Sequence, residues 1–205
     1  MLGLPKATEL NKKLPKTAVY AKFQMNTAEK AKIDADISRI TIVNEVSAAK
    51  VNIAPGEKVQ AFFVLQVVLK RREFNERTLI VLSKLIPQNM VLLLEYDGQA
   101  KLAVYHTKLL QTPWSDPDTL SLAINGLNMD AVWENVIVQI GGIQVQEGNT
   151  LDQQIAQDEQ KAKLEKEIAR LQKQLWAEKQ PKKKFDLLQK INQLKELTTN
   201  ASGNF

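Results

Sequence analysis

Asp34, Asp36, Glu45, Glu95 and Asp97 are acids near or on candidate strands. Acids on neighbouring strands are what a metal-dependent nuclease uses. Such an enzyme needs an early carboxylate, then an acid-x-Lys triplet on the following strand. The carboxylates hold Mg²⁺ and the lysine stabilises developing charge. The strand in that place reads Val64-Leu65-Gln66-Val67-Val68-Leu69-Lys70. Gln66 stands where the acid is needed, and Val68 where the lysine is needed. Glu95 and Asp97 flank Tyr96 without a following lysine. A divergent or degenerate metal-dependent nuclease would have to work with Asp36, Glu45 and Glu95.

Other chemistries leave fewer traces. The chain has no cysteine, which removes disulfides, thiolate zinc sites and a cysteine nucleophile. His106, the single histidine, falls on a candidate strand with no serine nucleophile motif beside it. It reads as a strand histidine rather than a general base. No G-x-x-x-x-G-K-[ST] occurs, and Gly141-Gly142 reads as a helix cap rather than a phosphate cradle. The sequence therefore assigns no catalytic residue, no metal ligand and no cofactor, and favours a protein that is not an enzyme. Lys70-Arg71-Arg72 follows the central strand and, with Lys6, Lys12, Lys13 and Lys16, could present a basic face to a phosphate backbone. Lys182-Lys183-Lys184 is a second cluster. The net charge of +5 over 205 residues suits nucleic-acid contact without requiring it.

The elements that must position these residues divide at about Gly148. Residues 1–148 are expected to form a globular α+β domain, and 149–205 a helical, coiled-coil-like extension with a break near Pro181. In the first part, Pro5 is expected to open a short helix and Pro15 to end it. Lys16 to Met25 alternates as a short strand or extended arm would. Thr27 is expected to cap a helix running to Ser38. Arg39–Val46 and Lys58–Lys70 are rich in β-branched and aromatic residues and read as strands, the second buried on both faces. Asn75 caps a helix, Glu76–Leu85, that Pro87 stops. Met90–Tyr96 is a further buried strand, and Asp97-Gly98 turns it into Lys101–Thr107. Met129–Ile140 carries Val132, Trp133, Val136 and Ile137 at helical spacing. A strand-helix-strand followed by a hairpin implies a mixed sheet with helices packed on it.

The extension reads differently. Leu164, Ile168, Leu171 and Leu175 are spaced 4, 3, 4, and Leu187, Ile191 and Leu194 repeat 4, 3. Almost everything between is Lys, Glu, Gln, Arg or Ala, all good helix formers. The two blocks are out of register, and Pro181 lies between them. Two helices are therefore expected, folded back or extended. Two heptads are too short to stand alone, so these seven residues are the expected partner-binding seam. Thr198–Phe205 reads as a frayed tail. No apolar run approaches the ~20 residues of a membrane span, and no apolar signal core follows the N-terminal lysines. A cytoplasmic protein is expected.

The chain resembles a known family over nearly its whole length. Leu2-Gly3-Leu4-Pro5, Ile37-Ser38-Arg39-Ile40, the strand Phe63–Lys70 and Ile86-Pro87 ahead of Met90–Glu95 carry the likeness. Glu178-Lys179-Gln180 with Lys183, Lys184 and Phe185 adds to it. These resemble the bacterial family called domain of unknown function 4391. The resemblance implies no catalytic residue. Members are often encoded beside helicases and DNA methyltransferases of restriction or phage-defence type. It thus implies a non-catalytic accessory subunit whose partner is a helicase or methyltransferase, and docking is expected through the globular domain and the C-terminal helices. From the residues themselves, a homo-oligomer is the alternative partner, and nucleic-acid contact would run through Lys70, Arg71 and Arg72.

Overall fold

The computed structural model describes residues 2–203. The chain divides into two compact units, Met1–Ile143 and Gln144–Phe205. The first is the α+β unit. After a 3-10 turn at Lys6–Thr8 come β1 (Glu9–Lys13), α1 (Lys16–Lys22), α2 (Thr27–Asp36), β2 (Ile37–Ser47) and the short α3 (Ala48–Val51). Then follow β3 (Ala61–Leu69), α4 (Glu76–Leu85), β4 (Asn89–Tyr96), β5 (Gln99–His106), β6 (Lys108–Gln111), a 3-10 turn and α5 (Met129–Gly141). The six strands form one sheet in sequence order, β1 to β6. Every neighbouring pair is antiparallel except β3 and β4, which α4 joins as a parallel crossover. The mixed sheet with packing helices is the class read from the sequence.

The core has two layers because helices cover both faces of the sheet. On one face, Ile40, Leu65, Val67, Leu92 and Leu94 pack with Ile33 of α2 and Leu79 and Leu82 of α4. On the other, Phe62 meets Trp133 of α5 with ring centroids 5.3 Å apart. Val91 to Leu94 are buried on both sides, which is why β4 reads as an unbroken apolar run. The expected helix ends hold at Asn75, whose side chain accepts from Arg77 N–H, and at Gly142, left-handed at φ +59°.

Four local expectations are corrected. Lys16–Lys22 is a helix, not a strand: Pro15 sets the entry, and Lys16 Nζ bonds Asp34 and the Ile37 carbonyl. The helix expected after Pro5 is only the 3-10 turn, and β1 follows it. Glu-Leu-Asn-Lys-Lys has no apolar alternation because it is an edge strand, exposed throughout and held by backbone bonds to β2. Asn26, not Thr27, caps α2, in a reciprocal pair with Glu29. A short sixth strand, β6, extends the sheet after a tight turn at Thr107.

The second unit is two helices, α6 (Leu151–Ala177) and α7 (Pro181–Gly203). Thr150 and Gln153 form the capping box of α6. Pro181 opens α7 instead of kinking a single helix, since a missing N–H costs nothing in the first turn. The expected tail is helical as far as Gly203; Asn204 and Phe205 lie outside the described residues. Among the described residues, no helix is long and apolar enough to cross a membrane.

Candidate functional site

Asp36 is the most deeply buried acid of the described residues, only 1% exposed, where α2 passes into β2. Its carboxylate is fully engaged. Arg71 donates to Oδ1 from Nε at 2.8 Å and from Nη2 at 2.5 Å. Asn75 N–H and Thr78 Oγ1 donate to Oδ2 at 3.0 and 3.1 Å. Burial by itself raises this carboxyl, but the Arg71, Asn75 and Thr78 bonds outweigh it and hold it below the usual range. The group ties the α2–β2 junction to the β3–α4 loop and the first turn of α4. A carboxylate with four donors has little left to offer a metal or a proton.

The other nuclease acids lie elsewhere. Glu45 accepts from Lys50 at 2.7 Å, and Glu95 accepts from Gln66 at 2.8 Å. Glu45 stands opposite Phe63 of β3, and Glu95 opposite Val68. Those positions are about 16 Å apart along the strand. Asp36 precedes Ile37, the partner of Leu69, so it sits at the Glu95 end. The structure therefore does not bring Asp36, Glu45 and Glu95 together. Among the described residues, no three His, Cys, Asp or Glu side chains gather where one ion could be held. His106 ends β5 opposite Lys108. Asp34 accepts from Lys16 and from Tyr20 Oη, and the Lys16 bond, then the Tyr20 bond, lowers its carboxyl. Burial, with Asp34 beside it, pushes the Tyr20 phenol well up.

The triplet Lys70-Arg71-Arg72 lies at the carboxyl end of β3, but its three cations are divided among different tasks. Lys70 Nζ donates to the Asp34 carbonyl at 2.6 Å, and Arg71 holds Asp36. Arg72 lies over the Trp114 ring, 6.0 Å from its centroid. Lys101 sits in the same cluster, 4.9 Å from the Phe74 ring and 5.0 Å from the Trp114 ring. Desolvation lowers the Lys101 amine, against an opposing pull from Glu76. Among the described residues, Arg72 is thus the member of the triplet with no carboxylate or carbonyl contact to hold it. Sequence reading missed Phe74, Lys101 and Trp114. Their only signal was an aromatic residue in each of two loops; the Ala100–Ser115 bridge sets the Trp114 loop beside Lys101 of β5, whose amine lies over both rings.

In the second unit, the Glu178–Gln180 link turns α7 back along α6. The seam residues face inward. Leu171 and Ile191 are 3% and 2% exposed, and Leu164, Ile168, Leu175, Leu187 and Leu194 are half-buried. The link is fastened by Glu178, which accepts from the N–H groups of Lys179 and Gln180 at 2.8 and 2.9 Å. These bonds, Gln180's first, hold its carboxyl below the usual range. Beside the link, Trp176 is 86%, Phe185 60% and Leu188 46% exposed. With Leu175 and Lys184 they line a notch of about 490 Å³. The sequence reading missed Trp176, Phe185 and Leu188 because it followed the 4, 3, 4 stripe, and each stands one or two residues off it. An indole beside the leucine stripe, in a helix whose other off-stripe residues are mostly Lys, Gln, Glu and Ala, was the available signal.

A six-stranded mixed sheet with a C-terminal helical hairpin defines an α+β protein in which, among the described residues, no three His, Cys, Asp or Glu side chains gather to hold a metal. The chain belongs to the family described as Domain of unknown function (DUF4391), whose model matches residues 2–197. It matches no curated protein and no solved structure.

Proposed function

We propose that this protein is a non-catalytic accessory subunit that docks on a larger DNA-acting partner of restriction or phage-defence type in the bacterial cytoplasm. The observation that carries this reading is the apolar surface at the hairpin turn. Trp176, Phe185 and Leu188 stay in water although the same hairpin buries Leu171 and Ile191. Exposed aromatic clusters of this kind mark interaction sites, and Trp is the residue most enriched among binding hot spots. The acids a nuclease would need are spent on internal bonds, which favours binding over chemistry. The neighbourhood of helicases and methyltransferases in which the family's genes are found suggests the class of partner. The seam residues serve this function by holding the hairpin closed.

The test is affinity purification of the tagged full chain from its native host. The wild type should bring down a helicase- or methyltransferase-type protein, and a Trp176→Ala, Phe185→Ala double variant should lose it. A wild-type chain that purifies alone, or a partner retained equally by the double variant, contradicts the reading.

A further inference from the structure

We infer that the occupant of the hairpin notch is an acidic, amphipathic helix of the partner protein, laid across α6 and α7 to make a local three-helix contact. This rests on the accessory-subunit reading above and adds the chemistry of what is recognised.

Shape is the first ground. The notch takes Leu175 and Trp176 from α6 and Lys184, Phe185 and Leu188 from α7, so its lining comes from two helices. A groove between two helices accepts the apolar stripe of a third, read as anchors at i, i+3, i+4 and i+7. A flat bilayer surface would instead suit a single convex helix face. Side-chain chemistry is the second. Trp176 and Phe185 supply two rings, but Leu175 and Leu188 beside them are aliphatic, which suits the apolar anchors of a helix better than a series of stacked bases.

Charge is the third ground and separates the remaining occupants. Residues 173–190 contain six lysines against two acids, a net charge of +4. Lys184 lines the notch, and Lys179, Lys182 and Lys183 are exposed on the link and the first turn of α7 beside it. Glu178, one of the two acids, is already bonded to the link backbone. Two copies of this surface brought face to face would oppose like charges, which is costly across an interface. A helix with apolar anchors on one side and Asp or Glu along its flanks satisfies both the notch and its rim.

Site-specific photo-crosslinking in the native host tests this with the full chain. Phe185→p-benzoylphenylalanine keeps a ring at an exposed position and traps whatever lies in the notch. The expected product is a crosslink to a segment of another protein with apolar residues at helical spacing and a net negative charge. Trp176→Ala, or reversal of Lys182, Lys183 and Lys184 to Glu, should cut its yield at least tenfold. A crosslink to a second copy of this chain, to nucleic acid, to lipid or to a basic or non-amphipathic segment overturns the inference. So does a yield unchanged by the lysine reversal. If the partner still co-purifies and no crosslink forms, the inference fails and the accessory reading stands. If the partner is absent as well, both fall.

Discussion

Asp36 and Trp176 each sit against the preference of their type. The acid is 1% exposed and the indole 86%. In the sheet unit, a charge removed from water meets Arg71, Asn75 and Thr78, and the burial becomes a clamp between elements far apart in sequence. In the hairpin, an apolar group that burial would favour has nothing of its own unit over it. The first arrangement is complete by itself. The second leaves its apolar group in water, which is what the proposed docking calls for. The contrast teaches that an unusual burial state is read by its partners: saturated, as at Asp36, it means architecture; unsatisfied, as at Trp176, it is the ground for the proposed recognition role.

The sharpest way to break this comparison is to remove the clamp. Asp36→Ala leaves the Thr78 hydroxyl and the Asn75 N–H without their acceptor and Arg71 without its counter-charge. Because Arg71 is more than half exposed, the loss should be about 3 kcal/mol, below the upper range for a fully buried pair. Urea unfolding measures it, and a loss below about 1 kcal/mol would show that the network is incidental. The pH dependence follows from the same bonds. The folded-state carboxyl lies below the unfolded value near 3.9, so its stabilisation is complete above that value. It disappears as pH falls through the folded value. Acid unfolding of the wild type should therefore show a component below about pH 4 that Asp36→Asn lacks.

Leu171→Asp puts a carboxylate where α6 meets α7. It should cost about 2–3 kcal/mol of hairpin stability through lost burial and desolvation. Helicity of the C-terminal unit, followed by circular dichroism on heating, reads this out. The fragment 1–148 should meanwhile express as a soluble protein with a cooperative melt of its own. An unfolded fragment would mean that the hairpin completes the sheet unit's core.

A smaller and more discriminating effect separates two adjacent arginines. Arg71→Glu places an acid against Asp36 and should lower stability by about 2 kcal/mol. Arg72→Glu should change stability by less than about 0.5 kcal/mol, as exposed surface substitutions do. Any DNA affinity should respond to Arg72→Glu with a shallower salt dependence, by about one counterion. Equal unfolding midpoints for the two variants would show that the triplet is one solvated patch after all.

The smallest stability change belongs to the notch. Trp176→Ala should leave the melting curve within about 0.5 kcal/mol of wild type, because the ring is already in water. A larger loss would make the indole part of the hairpin's own packing and remove the contrast with Asp36.

The sequence by itself determined the elements whose signal is local. β-branched runs in β3 and β4, the Asn75 cap, the Asp97-Gly98 turn, the Gly142 stop and the two spaced leucine blocks each carry their physics within about ten residues. From these, the mixed α+β class and the helical C-terminal part were legible. The sequence also placed Gln66 and Val68 where a nuclease needs an acid and a lysine. The tertiary structure alone decided what depends on partners distant along the chain. β1 is a strand because the β2 edge supplies its hydrogen bonds, not because its side chains alternate. Asp36 became a clamp because Arg71, Asn75 and Thr78, 35 to 42 residues away, converge on it. Trp176 became surface because the leucine stripe beside it took the inward face when α7 folded back. Periodicity tells which residues share a face, but only the packed partner determines whether that face meets protein or water.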